Sequence, residues 1–138
     1  MEAIYTYQSF NRDKSIDELY YNTLREENYL ENLKFELQFI KNLLDRPIFK
    51  VRTMNLYEKL AVFKNEINAV NKISNSLLDE LNANAGKIKR KIEFEDVDYD
   101  DAFKSEYDDI ELKVFNLKTK IFNLKFRLFQ YLEGVIIN

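Results

Sequence analysis

The feature that most constrains the fold is a run of nine apolar residues spaced alternately four and three apart. The run begins at Phe103 and ends at Tyr131 without a missed step. Its other members are Tyr107, Ile110, Val114, Leu117, Ile121, Leu124 and Leu128. This spacing places all nine side chains on one side of an α-helix. It predicts a helix from about Asp100 to Gly134 that buries one face along its whole length.

A second stretch with helical spacing follows a capping signal. Ser15 and Glu18 have the S-x-x-E form in which each side chain bonds the other's backbone amide at a helix start. Pro47 stops the helix, because the residue before proline avoids the α region. We therefore predict a helix over about 16–45. Two polar residues interrupt its apolar row: Thr23 and Glu26.

A third row begins just after Thr53 or Asn55 and marks the middle helix. Its members are Leu56, Leu60, Phe63, Ile67, Val70, Ser74, Leu77 and Leu81. The end of this helix is open. Gly86 is a common type of helix terminator, but Ile88 and Ile92 would continue the row.

Three rows of about 30 to 35 residues give helices roughly 45–50 Å long at 1.5 Å per residue. Their matched lengths and short connections predict an all-α fold: a long antiparallel three-helix bundle (up-down-up, coiled-coil-like). Residues 1–14 lack helical spacing and form an aromatic N-terminal arm, while residues 15–138 form the bundle domain. The arm carries Ile4, Tyr5, Tyr7 and Phe10.

The composition removes most catalytic and metal chemistry. The chain has no cysteine and no histidine, so it lacks a thiol nucleophile, the usual general base and the usual zinc ligands. Its two glycines, Gly86 and Gly134, cannot form a phosphate-binding loop. We predict no enzymatic activity, no cofactor and no small-molecule substrate. With no signal peptide or membrane span evident, we expect a cytoplasmic protein.

The acidic segment 93–101 resembles a calcium loop only in part. Asp96, Asp98 and Asp100 alternate as calcium ligands do. However, the sixth position counted from Asp96 is Asp101 instead of glycine, and the twelfth is Tyr107 instead of glutamate. We predict no calcium site here, and interpret the acids as favouring the positive end of the third helix dipole.

Positive charge is concentrated at one end of the predicted bundle. Residues 30–72 contain eight basic and five acidic residues, and residues 112–133 contain five basic and one acidic residue. These two segments, here called the positive half, carry +7, so the rest of the chain carries −10. Possible polyanion contacts are Lys41, Arg46, Lys50, Arg52, Lys120, Lys125 and Arg127. The alternative function is therefore a small helical nucleic-acid-binding subunit of a ribonucleoprotein or similar complex.

The third helix also has a second apolar row. Its members are Leu112, Phe115, Phe122, Phe126 and Phe129. At 100° per residue this row lies roughly 150° from the first, where two partner helices cannot cover it. We predict that it is a protein interface, favouring a homodimer. The alternatives are cover by the N-terminal arm, a core widened by Leu24, Phe35 and Phe39, or another protein partner.

The function predicted from these patterns is that of a non-catalytic helical assembly or adaptor protein. An antiparallel two-fold dimer would place the positive half of each copy beside the negative half of the other. No sequence feature indicates binding to a membrane.

Overall fold

The computed structural model describes residues 6–94 and 101–138, with side chains for all of these except 101–103. Three helices form most of this part: α1 (Ile16–Leu43), α2 (Leu56–Glu93) and α3 (Asp101–Val135). The middle helix packs closely against both of the others. The predicted all-α three-helix bundle is confirmed.

Ion pairs between the helices show their directions. Three pairs join α2 to α3, and the residue number on α2 falls as that on α3 rises. They are Lys87–Glu106, Glu80–Lys113 and Glu66–Arg127. Two pairs join α1 and α3 in the same order: Glu26–Lys118 and Glu36–Lys125. The arrangement is therefore up-down-up, with α1 and α3 parallel.

The first helix begins as its capping signal predicts. The Glu18 amide donates to Ser15 Oγ at 3.2 Å, and the Ser15 amide donates to Glu18 Oε1 at 3.5 Å. Thr23, which interrupts the apolar row, is fully buried but not unpaired, because its hydroxyl donates to the Leu19 carbonyl at 2.8 Å. The helix thus keeps a polar residue in its buried face at little cost.

Of the two ends considered for the middle helix, the structure has the longer one. α2 passes through Gly86 and continues to Glu93. Gly86 does not adopt the left-handed conformation that ends a helix. Ile88 lies fully buried one turn beyond Asn84 and two turns beyond Leu81, so burial of apolar area favours the extension. Gly134 likewise lies inside α3, which ends one residue later.

The hydrophobic core has two parts of unequal size. The large cluster runs along all three helices and includes Leu30, Leu37, Leu81 and Leu124. The small cluster contains Leu19, Ile88 and Tyr107. On α1 and α2 the two clusters are separated by a polar layer of Thr23 and Asn84, both buried. The amide of Asn84 has no hydrogen-bond partner among the described residues.

The C-terminal tail is tied to the segment between α1 and α2. Phe49 and Ile136 form an isolated antiparallel bridge. The Lys50 amide donates to the Val135 carbonyl at 2.8 Å, and the Ile137 amide donates to the Ile48 carbonyl at 2.8 Å. These bonds give the interhelical turn a fixed position against the end of α3. No described helix is long and apolar enough to cross a membrane.

Candidate functional site

The second apolar row of α3 is largely uncovered. Phe122 is 46% exposed, Phe126 37% and Phe129 48%, while Leu112 is also exposed. Only Phe115 of the predicted interface residues is half-buried. The row therefore presents three phenylalanines to solvent within the single chain.

A second exposed aromatic row lies on α1. Phe35 is 75% exposed and Phe39 is 66% exposed, and Leu24 is exposed as well. The alternative in which these residues widen the core is therefore not the arrangement that the structure has. The core face of α1 is already filled by four leucines and Ile40, which leaves the phenylalanines outside.

Ion pairs place the two rows on the same side of the molecule. Lys125 of α3 pairs with Glu36 of α1 at 2.5 Å. Lys125 is three residues after Phe122 and four before Phe129, and Glu36 is three before Phe39, so each charge lies beside its phenylalanines on the helix surface. Members of the two rows therefore lie on both sides of one ion pair. We call this surface the aromatic face, defined by Phe35, Phe39, Phe122, Phe126 and Phe129.

The aromatic face has little net charge of its own. The two pairs between α1 and α3, Glu26–Lys118 at 3.0 Å and Glu36–Lys125, neutralise the lysines beside it. Lys118 also lies 4.7 Å from the ring centroid of Tyr29. The pKa of Tyr29 is raised, first by burial and then by nearby glutamates.

The position of the aromatic face changes the expected dimer geometry. All five of its phenylalanines lie in the halves of α1 and α3 nearest the α1–α2 turn, within the positive half. An antiparallel dimer centred on this face would bring two positive halves together. A dimer that pairs positive with negative halves, as predicted from the sequence, would need a contact elsewhere and stays a prediction.

The N-terminal arm covers one end of the α3 row. The Tyr7 ring packs on Phe115, with centroids 5.7 Å apart and an angle of 59° between the rings. The Tyr7 hydroxyl donates to Glu111 Oε1 at 2.9 Å. Burial, followed by this hydrogen bond, raises the pKa of Tyr7 well above its ordinary value.

Polar contacts to α3 hold the rest of the described arm. Ser9 Oγ donates to Asp108 Oδ1 at 2.7 Å, and Asn11 Nδ2 donates to the same oxygen at 2.6 Å. Lys104 Nζ donates to the Arg12 carbonyl. Phe10 is exposed. The internal cover therefore reaches Phe115 in the part of the chain that is described; Ile4 and Tyr5 lie outside it.

The seven predicted polyanion contacts do not form one surface. Arg46, Lys50 and Arg52 line a cavity of about 830 Å³ beside the α1–α2 turn. The others lie elsewhere. Lys125 pairs with Glu36, Arg127 pairs with Glu66, Lys120 lines a groove between α2 and α3, and Lys41 does not line the cavity. Nucleic-acid binding stays a prediction, and its proposed contacts divide into separate groups.

No cluster of three metal-ligating side chains occurs among the residues with described side chains, 6–94 and 104–138. The acids considered as calcium ligands, Asp96, Asp98 and Asp100, lie outside the described residues.

Comparison of the chain with protein-family models, curated proteins and solved structures gives no significant match.

Proposed function

We propose that this chain is a non-catalytic assembly protein that pairs with a second copy of itself through the aromatic face. The observation that carries the proposal is the set of five exposed phenylalanines, two of α1 and three of α3, that flank the Glu36–Lys125 ion pair. Monomeric proteins expose apolar side chains singly, whereas contiguous patches mark interaction sites. Phenylalanine is also enriched at the centres of protein interfaces.

The exposed area is large enough to support a reversible dimer. The exposed fractions of the five phenylalanines add up to between two and three whole side chains. Burying them gains about 4–8 kcal/mol per copy, at roughly 1.5–3 kcal/mol for each whole side chain. Two copies then gain about 8–16 kcal/mol, against an association cost of about 4–15 kcal/mol. The upper part of this balance corresponds to a dimer that exchanges with its monomer at micromolar concentrations.

A second copy is the partner that best matches this surface. The lysines beside the aromatic face already pair with glutamates of the same chain, so the face offers no net charge to select an acidic or basic partner. An apolar surface whose neighbouring charges are paired within the chain can pack against the same surface of a second copy. A two-fold contact also doubles the buried area, because both copies contribute the same residues.

Salt should strengthen this dimer. The contact brings two positive halves together, and added salt screens their repulsion within a Debye length of about 10 Å at 0.1 M. The free energy gained by burying apolar side chains does not depend on attraction between charges, so screening does not reduce it. A dimer held by complementary charges would instead weaken with salt.

Sedimentation equilibrium tests the proposal directly. We expect the wild-type chain to exchange between monomer and dimer at about 1–100 μM, which corresponds to a net gain of about 5–8 kcal/mol, in the upper part of the range that gain and cost leave. Association should be tighter at about 300 mM than at 50 mM sodium chloride. A chain that remains monomeric through this concentration range at both salt levels contradicts the proposal. A dimer that weakens with salt would place the contact on charged surfaces.

A further inference from the structure

The cavity beside the α1–α2 turn combines unpaired positive charge with an apolar floor. It is lined by four basic side chains, Arg46, Lys50, Arg52 and Lys64, and by the acidic Asp45. Lys64 Nζ bonds to Asp45, so this pair is internally balanced. The other three bases form no ion pair with any residue whose side chain is described, in the segments 6–94 and 104–138. The cavity therefore carries a local charge of +3.

The floor of the cavity is part of the hydrophobic core. Leu44, Phe49 and Leu60 line it and are each at least 95% buried. At the rim, Tyr57 is 69% exposed and Val51 is 70% exposed. A ligand in the cavity thus meets buried aliphatic and aromatic groups below and an accessible tyrosine ring at its side.

Backbone hydrogen bonds hold the basic residues in place. The Lys50 amide donates to the Val135 carbonyl at 2.8 Å, and the Thr53 amide donates to the Lys50 carbonyl at 2.9 Å. The Ile48 amide donates to the Arg46 carbonyl at 2.9 Å. The C-terminal tail therefore fixes the turn that carries the charges, which lowers the ordering cost of binding.

We propose that this cavity binds a phosphate ester that carries an apolar or aromatic body. Its volume of about 830 Å³ is within the range of small-ligand sites. The two arginines can each donate a pair of parallel hydrogen bonds to a phosphate, and the lysine ammonium supplies a further positive charge. The floor and Tyr57 supply the contact for the rest of the ligand. Both nucleotides and phosphorylated lipids have this chemistry.

A localised ligand fits better than a long nucleic acid strand. A strand needs a continuous row of free basic groups. Lys125 and Arg127, at the same end of the bundle, are already paired with glutamates. The three basic side chains without an ion pair, Arg46, Lys50 and Arg52, line one cavity and do not form a row along the surface. None of the residues lining this cavity belongs to the aromatic face, so the site is independent of the proposed dimer.

Calorimetric titration of the full chain with four probes tests the site. The probes are ATP, adenosine, pyrophosphate, and vesicles of phosphatidylcholine with phosphatidylinositol phosphate, at about 50 mM salt. We expect ATP to bind more tightly than adenosine and pyrophosphate if a nucleotide is the source of the phosphate. Binding to the vesicles without ATP binding assigns the source to lipid. Either result should shift the Tyr57 ring resonances in NMR spectra.

Two matched double variants locate the binding. Lys50→Gln with Arg52→Gln removes two cavity charges and should weaken binding of the responsive probe by about tenfold or more. The control, Lys72→Gln with Lys120→Gln, removes the same charge from the groove between α2 and α3 and should change binding less than about twofold. All four side chains are exposed, and circular dichroism checks that both variants remain helical.

Three outcomes overturn the proposal. One is no binding of ATP or vesicles at ligand concentrations up to about 5 mM. Another is an equal loss of affinity in both double variants, which would indicate that the probe responds to the overall positive charge of the protein and not to the cavity. The third is binding of a single-stranded RNA without binding of ATP or vesicles, which indicates a polyanion surface.

Discussion

Replacing Phe122 and Phe129 together with glutamate should separate the proposed dimer into monomers. The two side chains are 46% and 48% exposed, so together they present about one whole phenylalanine per copy. A two-fold dimer contains this contribution twice. The loss is then about 3–6 kcal/mol, at roughly 1.5–3 kcal/mol for each whole side chain. This corresponds to a dissociation constant about 100- to 10,000-fold higher.

Sedimentation equilibrium of the double variant measures this change directly. The matched control is Val62→Glu with Ile73→Glu, which adds the same charge at exposed apolar positions of α2. Those positions line grooves on the α2–α3 side of the bundle, away from the aromatic face. The control should dimerise like the wild type. Thermal unfolding of both variants shows whether the monomer remains folded.

Two results would refute the reasoning. A Phe122→Glu and Phe129→Glu variant that dimerises as tightly as the wild type would place the contact elsewhere. Equal weakening in the variant and the control would show that added negative charge, and not loss of the phenylalanines, separates the copies.

Three further predictions concern the monomer. Asn84→Leu should raise the free energy of unfolding by about 1–3 kcal/mol in urea titrations, because it removes a buried amide without a described partner. Burial raises the pKa of Tyr7 and Tyr107, so the folded state retains these protons above the ordinary tyrosine pKa of about 10. The contribution of these two tyrosines to the free energy of unfolding should therefore be fully present below about pH 10 and decrease above it. Urea titrations at pH 8 and about 11 can measure this difference. Tyr7→Ala removes the ring contact with Phe115 and the bond to Glu111, so trypsin should cleave after Arg12 faster than in the wild type.

The helical framework is predictable from sequence because its signals are local. Ser15 and Glu18 form the cap from positions three residues apart. The apolar row of α3 is recognised from spacings of three and four residues. The end of α2 is less predictable, since a glycine can end a helix or lie inside it. Burial of Ile88 against α1 and α3 favours continuation, and this depends on neighbours distant in sequence.

The functional surfaces depend more strongly on contacts between distant residues. Periodicity locates the phenylalanines of α3, but the adjoining row of α1 becomes evident only when Glu36 is seen to pair with Lys125. The arm carries no pattern that specifies Asp108 as the acceptor for Ser9 and Asn11. Likewise, nothing local predicts that Ile136 pairs with Phe49 and positions the basic cavity.

The division of the core by Thr23 and Asn84 gives the bundle two ends that need not open together. Local openings usually involve units with few buried apolar contacts, and the cluster of Leu19, Ile88 and Tyr107 is such a unit. Amide hydrogen exchange should therefore be faster around this cluster than along the large one. The arm is bonded to α3 at this same end, so an opening there releases it and uncovers Phe115. For the proposed dimer, the stability of the far end of the bundle then sets whether Phe115 adds to the apolar surface that a second copy can contact.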